Sequence, residues 1–337
     1  MRIIFFFFSF LLLAGTTGSI YFGFQKSRTT DISTDMPVVR GATDQVVPKN
    51  IAPIFKENRF LTTSFRPVKK PYALNIAIPS AHAAIIIDAD SGTILYDQNA
   101  NTKRQVASLT KMLTSLIVIE RVRDLDSVVI IGDEIYIEGT RVGCPRSGFC
   151  DGERLKEGEQ VTVHNLLKAM LMNSANDAAT ALGKYIGGTQ DGFAKIMNAR
   201  AKELGLSNSN FCTPSGLETD GYETNCYSTA HDMAIIGSET LKHPELWEIM
   251  RSEKMKFTSV DGKYEHEIFN TDELLGQFPN LLGTKTGFTP LAGRSLLAAA
   301  TDDDGKHPII AVVLDDTIRF ESIRSMFHWS FGSFDWK

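Results

Sequence analysis

Val106-Ala107-Ser108-Leu109-Thr110-Lys111-Met112-Leu113-Thr114 is the stretch on which the reading of this chain turns. After Lys111 the residues Met112, Leu113, Leu116, Ile117, Val118 and Ile119 form an apolar run that ends in Glu120-Arg121-Val122-Arg123. Its length and apolar content predict a buried helix, although so apolar a run carries little periodicity. Ser108 falls at the mouth of that helix, where N-caps belong. Lys111 is three residues on, so the two side chains rise from one face. Two readings are open at this point: an N-cap followed by a solvated lysine, or a nucleophile with its base. A chain of this length contains about one Ser-x-x-Lys by chance, so the motif alone does not choose between them.

Working outward, composition sets the frame. The chain has 337 residues, 43% hydrophobic and 22% charged, which suffices for a large core and allows two domains. A net charge of -5, with no basic, aromatic-interleaved patch, argues against nucleic-acid binding. Met1-Arg2 precedes Ile3-Ile4-Phe5-Phe6-Phe7-Phe8-Ser9-Phe10-Leu11-Leu12-Leu13-Ala14, a short basic region and an apolar run of export-signal length. Residues 1–24 therefore read as a signal peptide or, since the weakly polar run continues to Phe24, as an uncleaved N-terminal membrane anchor. Arg2 before the run and Lys26 and Arg28 after it leave the orientation unset. The four cysteines, Cys144, Cys150, Cys212 and Cys226, form two sequence-local pairs. In an exported protein they read as two disulfides. Three pairings exist; the short loops favour Cys144 with Cys150 and Cys212 with Cys226. The spacings are not C-x-x-C and no histidine stands near at ligand spacing, which argues against zinc. No metal or cofactor is expected.

Residues 25–75 are rich in Thr, Ser, Asp, Lys and Pro and read as a flexible linker, with order starting near Ala83. Ala84 to Asp88, the Asp90-Ser91-Gly92 turn and Thr93 to Tyr96 read as a strand hairpin. Thr162 caps an expected helix through Leu171, Asn173-Ser174-Ala175-Asn176 interrupts the pattern, and further helices run over 177–185, 192–204 and 228–240. Leu281 to Gly287, Arg294 to Thr301 and Ile309 to Leu314 read as strands, and Glu321 to Trp329 as a closing helix. Strands at both ends with short turns, and helices between, predict an α+β fold: an antiparallel sheet flanked by helices plus an all-helical lobe.

Two further polar clusters now join the first. Ser174-Ala175-Asn176 sits in a break between helices, and Lys285-Thr286-Gly287 on or beside a strand. Ser-x-x-Lys, Ser-x-Asn and Lys-Thr-Gly in this order are the signature trio of penicillin-binding proteins and serine β-lactamases. The chain from about Ala83 to Phe334 resembles the D-alanyl-D-alanine carboxypeptidases of the low-molecular-mass penicillin-binding protein type, in the β-lactamase/transpeptidase-like fold clan. Ile87-Asp88-Ala89-Asp90-Ser91-Gly92, Gly152-Glu153-Arg154-Leu155, Ser174-Ala175-Asn176-Asp177-Ala178-Ala179, Pro214-Ser215-Gly216-Leu217 and Tyr227-Ser228-Thr229-Ala230 are similar to further landmarks of that family.

The roles combine chemistry with that resemblance. Ser108 is the expected nucleophile and needs a base; Lys111 serves only when neutral, which burial and the charge of Lys285 both promote. Ser174 is expected to relay a proton to the leaving amine, and Asn176 to orient Lys111 and bond the substrate amide. The resemblance implies an oxyanion hole from the N–H groups of Ser108 and Phe288. Gly287 lets substrate lie along the strand edge, while Lys285, Thr286 and Arg319 are expected at its terminal carboxylate. Arg319 reads equally as a surface helix-start residue. His231-Asp232 reads as structural. The family usually has proline at position 106, where this chain has valine. Phe269-Asn270-Thr271-Asp272 lacks an arginine that some members carry. The Cys144–Cys150 insert is unusual, and the C-terminal β-domain and amphipathic anchor are not found in the sequence, so membrane attachment is expected at the N-terminus.

The resemblance implies a serine-type D-Ala-D-Ala carboxypeptidase of the periplasm or the outer face of the cytoplasmic membrane. It acts on peptidoglycan stem peptides and is trapped by β-lactam antibiotics. The alternatives are a DD-endopeptidase, a serine β-lactamase, for which a convincing Glu-x-x-Leu-Asn segment is lacking, and a non-catalytic wall-binding protein.

Overall fold

The computed structural model describes residues 65–145, 149–218 and 225–337. The export or anchor segment 1–24 and linker residues 25–64 lie outside the described residues. Along the chain come β1 (Pro67–Lys69), β2 (Ala81–Asp88) and β3 (Ile94–Gln98), then a 3₁₀ turn (Ala107–Thr110) that runs straight into α1 (Lys111–Arg121). β4 (Val128–Ile130) pairs with β5 (Gln160–Thr162) and brackets the loop that carries Cys144 and Cys150. Five helices follow: α2 (Val163–Met172), α3 (Asn176–Gly187), α4 (Gln190–Glu203), α5 (Ala230–Leu241) and α6 (Pro244–Met250). The hairpin β6 (Lys254–Thr258) and β7 (Glu265–Phe269) leads to β8 (Leu281–Thr289), β9 (Gly293–Ala300) and β10 (Ile309–Asp316). α7 (Arg319–Ser333) and β11 (Phe334–Trp336) close the chain.

The main sheet has the order β3-β2-β10-β9-β8, antiparallel throughout. Strands from both ends of the described chain thus meet in one sheet, as the sequence predicts. Its strands are apolar on both faces because both faces are covered. Ala83, Ile85 and Ile87 of β2 point to the helical side, together with Leu116 and Ile117 of α1. The alternate residues Ala84 and Ile86 point to Phe320, Ile323 and Phe327 of α7. The β2–β3 turn is fixed by Asp88, whose Oδ2 accepts the Ser91 amide at 2.8 Å. β8 is an outer strand of this sheet, so one edge of Lys285-Thr286-Gly287 faces away from β9.

α1 is too short to hold itself together in water. Met112, Leu113, Leu116, Ile117 and Val118 are fully buried, and the helix packs against α2, α3, α4 and α5. Burying each such side chain stabilises by about 1.5–3 kcal/mol relative to exposure. The helix carrying Lys111 is therefore the axis of the lobe. Thr162 caps α2, its Oγ1 accepting the Asn165 amide at 3.2 Å, and α2 and α3 part at residues 173–175.

The structure differs from the sequence reading at several elements. Order begins before Ala83: β1 pairs with β11 within the stretch read as linker. The short helix α6 and the hairpin β6–β7 lie in a stretch for which no element was assigned from the sequence. Ser108 is not an N-cap; it is the second residue of the 3₁₀ turn, whose capping position, Val106, makes no side-chain cap bond.

Candidate active site

The 3₁₀ turn lifts Ser108 to the lip of the helical lobe, half-buried, while Lys111 one turn on is 0% exposed. The Lys111 ammonium has three bonds: to Ser108 Oγ at 2.8 Å, Asn176 Oδ1 at 2.8 Å and the Ser215 carbonyl at 2.7 Å. Burial first, then the charge of Lys285, pushes the Lys111 amine well below the usual lysine range, against a smaller opposing pull from Asp177. A neutral amine keeps two protons and gains a lone pair. Donating to Asn176 and Ser215, it then accepts from the Ser108 hydroxyl, so all three bonds survive deprotonation. That is the geometry of a base on its nucleophile.

The second cluster is held from behind by residues 138–142. Asn176 Nδ2 donates to the Glu138 carbonyl at 2.9 Å, and its amide to the Thr140 carbonyl at 2.8 Å. Asn173 Nδ2 donates to the Arg141 carbonyl at 2.9 Å. The Val142 amide reaches the Asp177 carboxyl at 3.2 Å. Burial pushes that carboxyl up to about 7, against the pull of these amides. Ser174 stands in the break before α3 with φ at 58°, and Ala107, beside Ser108, has φ at 47°. Such left-handed values in non-glycine residues cost about 1–3 kcal/mol each and gather at functional sites.

The loop after Phe211 completes the lysine cradle. Thr114 Oγ1 donates to the Pro214 carbonyl at 2.7 Å, which seats the Ser215 carbonyl over Lys111. Gly216 has φ at 77°, and a Cβ there would stand 2.0 Å from the Ala107 carbonyl. The loop thus abuts the 3₁₀ turn backbone to backbone.

The third cluster faces this cradle from β8. A Cβ on Gly287 would lie 2.9 Å from the Val106 carbonyl, so the glycine lets the strand close on the 3₁₀ turn. Lys285 is 1% exposed. Burial, and then the charge of Arg319, brings its amine down to about 7. Arg319 Nη1 donates to the Gly287 carbonyl at 3.0 Å and the Ser295 carbonyl at 3.2 Å. It is therefore tied to the active strand rather than lying free on the surface. The Thr286 hydroxyl lies 2.7 Å from that of Thr271, while Phe288 is 61% exposed at the rim.

Ser108, Lys111 and Asn176 are thus joined by direct bonds, and Arg319 is bonded to Gly287. His231-Asp232 lies apart from this network: Asp232 accepts the Asn208 amide and the Ser209 hydroxyl, and Thr229 caps the helix through the Asp232 amide. The cysteines pair as Cys144–Cys150 and Cys212–Cys226. Sequence reasoning missed the Ser215 carbonyl, Asp177 and Thr271. The Pro214-Ser215-Gly216-Leu217 landmark was the available signal for the first.

The architecture and the arrangement of these three clusters define a fold of the DD-peptidase and serine β-lactamase class. The comparisons then narrow the class. Residues 70–317 match the family model for D-alanyl-D-alanine carboxypeptidase. Over 281 residues the chain is 34% identical to D-alanyl-D-alanine carboxypeptidase DacC of Escherichia coli, covering 80% of this chain and 66% of that one. A D-alanyl-D-alanine carboxypeptidase structure from Mycobacterium tuberculosis matches at a TM-score of 0.68 and 29% identity, over 79% of this chain and 96% of that one. Penicillin-binding protein D2 of Listeria monocytogenes, in its ampicillin-bound form, matches at 0.63 and 30%, over 77% and 99%. The chain belongs to the D-alanyl-D-alanine carboxypeptidase family, peptidase S11 type. It spans just under two thirds of the length of the first curated relatives it matches, 66% and 63%.

Proposed function

We propose that this protein is a serine D-Ala-D-Ala carboxypeptidase that trims the terminal D-Ala from peptidoglycan stem peptides outside the cytoplasm. The observation that carries the reading is the completely buried Lys111 amine bonded to the Ser108 hydroxyl at 2.8 Å. Neutral Lys111 takes the Ser108 proton as Oγ attacks the carbonyl carbon of the penultimate D-Ala. The tetrahedral oxyanion is held by the Ser108 and Phe288 amides. As the C–N bond breaks, Ser174 passes a proton from Lys111 to the departing amine, and free D-Ala leaves. Water then adds to the Ser108 ester, Lys111 taking its proton. Collapse of the adduct releases the shortened peptide and restores the serine.

Asn176 fixes Lys111 and bonds the substrate amide. Lys285, Thr286 and Arg319 supply the positive, hydroxyl-bearing floor for the terminal carboxylate. The open edge of β8 takes the peptide as an added strand. A β-lactam enters by the same route and leaves Ser108 acylated. The N-terminal apolar segment and the two disulfides support an exported protein, cleaved from that segment or anchored by it.

The test is labelling of the purified protein with a fluorescent penicillin, together with mass spectrometry of a pentapeptide muropeptide digest. Wild type is expected to label and to release D-Ala, and Ser108→Ala to do neither. Equal labelling of Ser108→Ala would overturn the assignment of the nucleophile. Cleavage of cross-links without D-Ala release would point instead to the endopeptidase.

A further inference from the structure

The Thr286 hydroxyl has one proton to give. To bond a substrate carboxylate it must donate that proton, so any neighbouring hydroxyl must donate to Thr286 rather than accept from it. Thr271 is that neighbour, with the two oxygens 2.7 Å apart. Its own position is unusually fixed. Asn270 Nδ2 donates to the carbonyls of Met250 at 2.7 Å and Ser252 at 2.9 Å, and the Asn270 amide to the Glu253 carbonyl. On the other side, the Asp272 amide donates to Asn270 Oδ1 at 3.0 Å. Between these anchors, the Thr271 amide donates to the carbonyl of Met172, at 3.2 Å. Met172 ends α2, two residues before Ser174. Thr271 therefore ties the helical break carrying the second cluster to the strand carrying the third.

Resting on the proposed carboxypeptidase reading, we infer that Thr271 is a positioning residue for carboxylate recognition: its hydroxyl donates to Thr286 Oγ1 and so commits the Thr286 proton to the substrate's terminal carboxylate. The chain of bonds runs Thr271 O–H to Thr286 O–H to carboxylate, each strengthening the next. Without the first donor, Thr286 is free to rotate and to spend its proton elsewhere. Thr271 touches neither the scissile bond nor the carboxylate, so its effect falls on binding of the terminal group and not on Lys111 or Ser108.

The experiment compares hydrolysis of an N-acyl-D-Ala-D-Ala dipeptide with that of its C-terminal carboxamide in wild type, Thr271→Val and Thr271→Ser. Valine keeps the shape and removes the hydroxyl; serine keeps the hydroxyl. Thr271→Val is expected to raise KM for the free acid about fivefold, the scale of one lost hydrogen bond, with kcat within about twofold. The wild-type preference for the acid over the amide should fall by the same factor, and Thr271→Ser should restore it. An unchanged KM and preference in Thr271→Val overturns the inference. So does an equal loss on both substrates, which marks a purely structural role. Wild type that ignores the carboxylate, or fails to turn over the dipeptide, removes the carboxypeptidase reading itself and is distinguishable from either result.

Discussion

At the residue scale, the charge of buried Lys285 helps set that of buried Lys111. In the proposed mechanism Lys111 must be neutral to act, so kcat/KM should rise with pH through the Lys111 pKa. Burial lowers that pKa first, and the Lys285 charge lowers it further. Replacing Lys285 by glutamine removes the repulsion, raises the Lys111 pKa and moves the acid limb of the kcat/KM profile to higher pH. Asp177 acts in the opposite sense, since its carboxylate favours the charged amine. Asp177→Asn should therefore move the same limb to lower pH. Profiles that shift the same way in both variants would contradict the assignment of Lys111 as base. Lys285, at about 7, loses its charge as pH rises through that value, so KM for a free-carboxylate substrate should climb on the alkaline side. Ser108, Lys111, Asn176 and Lys285 could be singled out in the sequence because reactive side-chain types stand there at fixed spacings. Ser215 contributes a backbone carbonyl, and every residue has one. Thr271 contributes a loop hydroxyl with no periodic pattern around it. Neither leaves a trace that spacing alone can detect.

At the element scale, one disulfide closes the loop that seats a partner of Lys111, and the other begins just after the residues that hold Asn176. Cys144 follows residues 138–142, which bond Asn173, Asn176 and Asp177, and it is bridged to Cys150. Cys212 and Cys226 bracket the loop whose Ser215 carbonyl accepts from Lys111. The sequence suggested these pairings from loop length, but not that one loop seats a bond of Lys111 while the other adjoins the residues that bond Asn176; that becomes visible only in the folded chain. Replacing Cys144 and Cys150 by serine should cost roughly 2 kcal/mol of stability on the loop-closure scale. Since the Asn176 support loosens with it, acylation by a β-lactam should slow about tenfold, the equivalent of 1.4 kcal/mol. Denaturant melts and stopped-flow acylation measure the two effects separately. A stability loss with unchanged acylation would show that residues 138–142 keep their place without the bridge. The elements missed at first reading, α6 and the β6–β7 hairpin, are short. The hairpin's outward residues pair by charge, as in Lys254 with Glu267 and Lys256 with Glu265, so it lacks the apolar run that identifies a buried strand.

At the scale of the whole molecule, the ends of the described chain are stitched together. Besides the β1–β11 pairing, the amide of Arg66 donates to the Lys337 carbonyl at 2.9 Å and the amide of Lys337 to the Arg66 carbonyl at 3.1 Å. Trp329 Nε1 donates to the Leu74 carbonyl at 2.7 Å, and Trp336 Nε1 to Asp88 Oδ1 at 2.7 Å. Polar composition alone made residues 65–75 read as linker, because a three-residue strand whose partner lies at the far end of the chain has no local signature. The pairing lies at the C-terminal end of α7, and Arg319 at its N-terminal end. At about 1.5 Å per residue, the 15 residues of that helix separate the two by about 22 Å. A chain beginning at Ile76, which removes β1 and the Leu74 carbonyl but leaves β2 whole, should therefore lose stability and keep its chemistry. Several exposed or half-exposed hydrogen bonds at about 0.5–1.5 kcal/mol each are removed, with a loss of about 2 kcal/mol expected in all. For a domain of this size that lowers Tm by roughly 4–8 °C. Thermal scans beside kcat/KM on a D-Ala-D-Ala dipeptide test both halves. An unchanged Tm would make the stitch irrelevant to stability. A fall in kcat/KM at a temperature where both chains are folded would show that the far end of α7 reaches Arg319 through the helix.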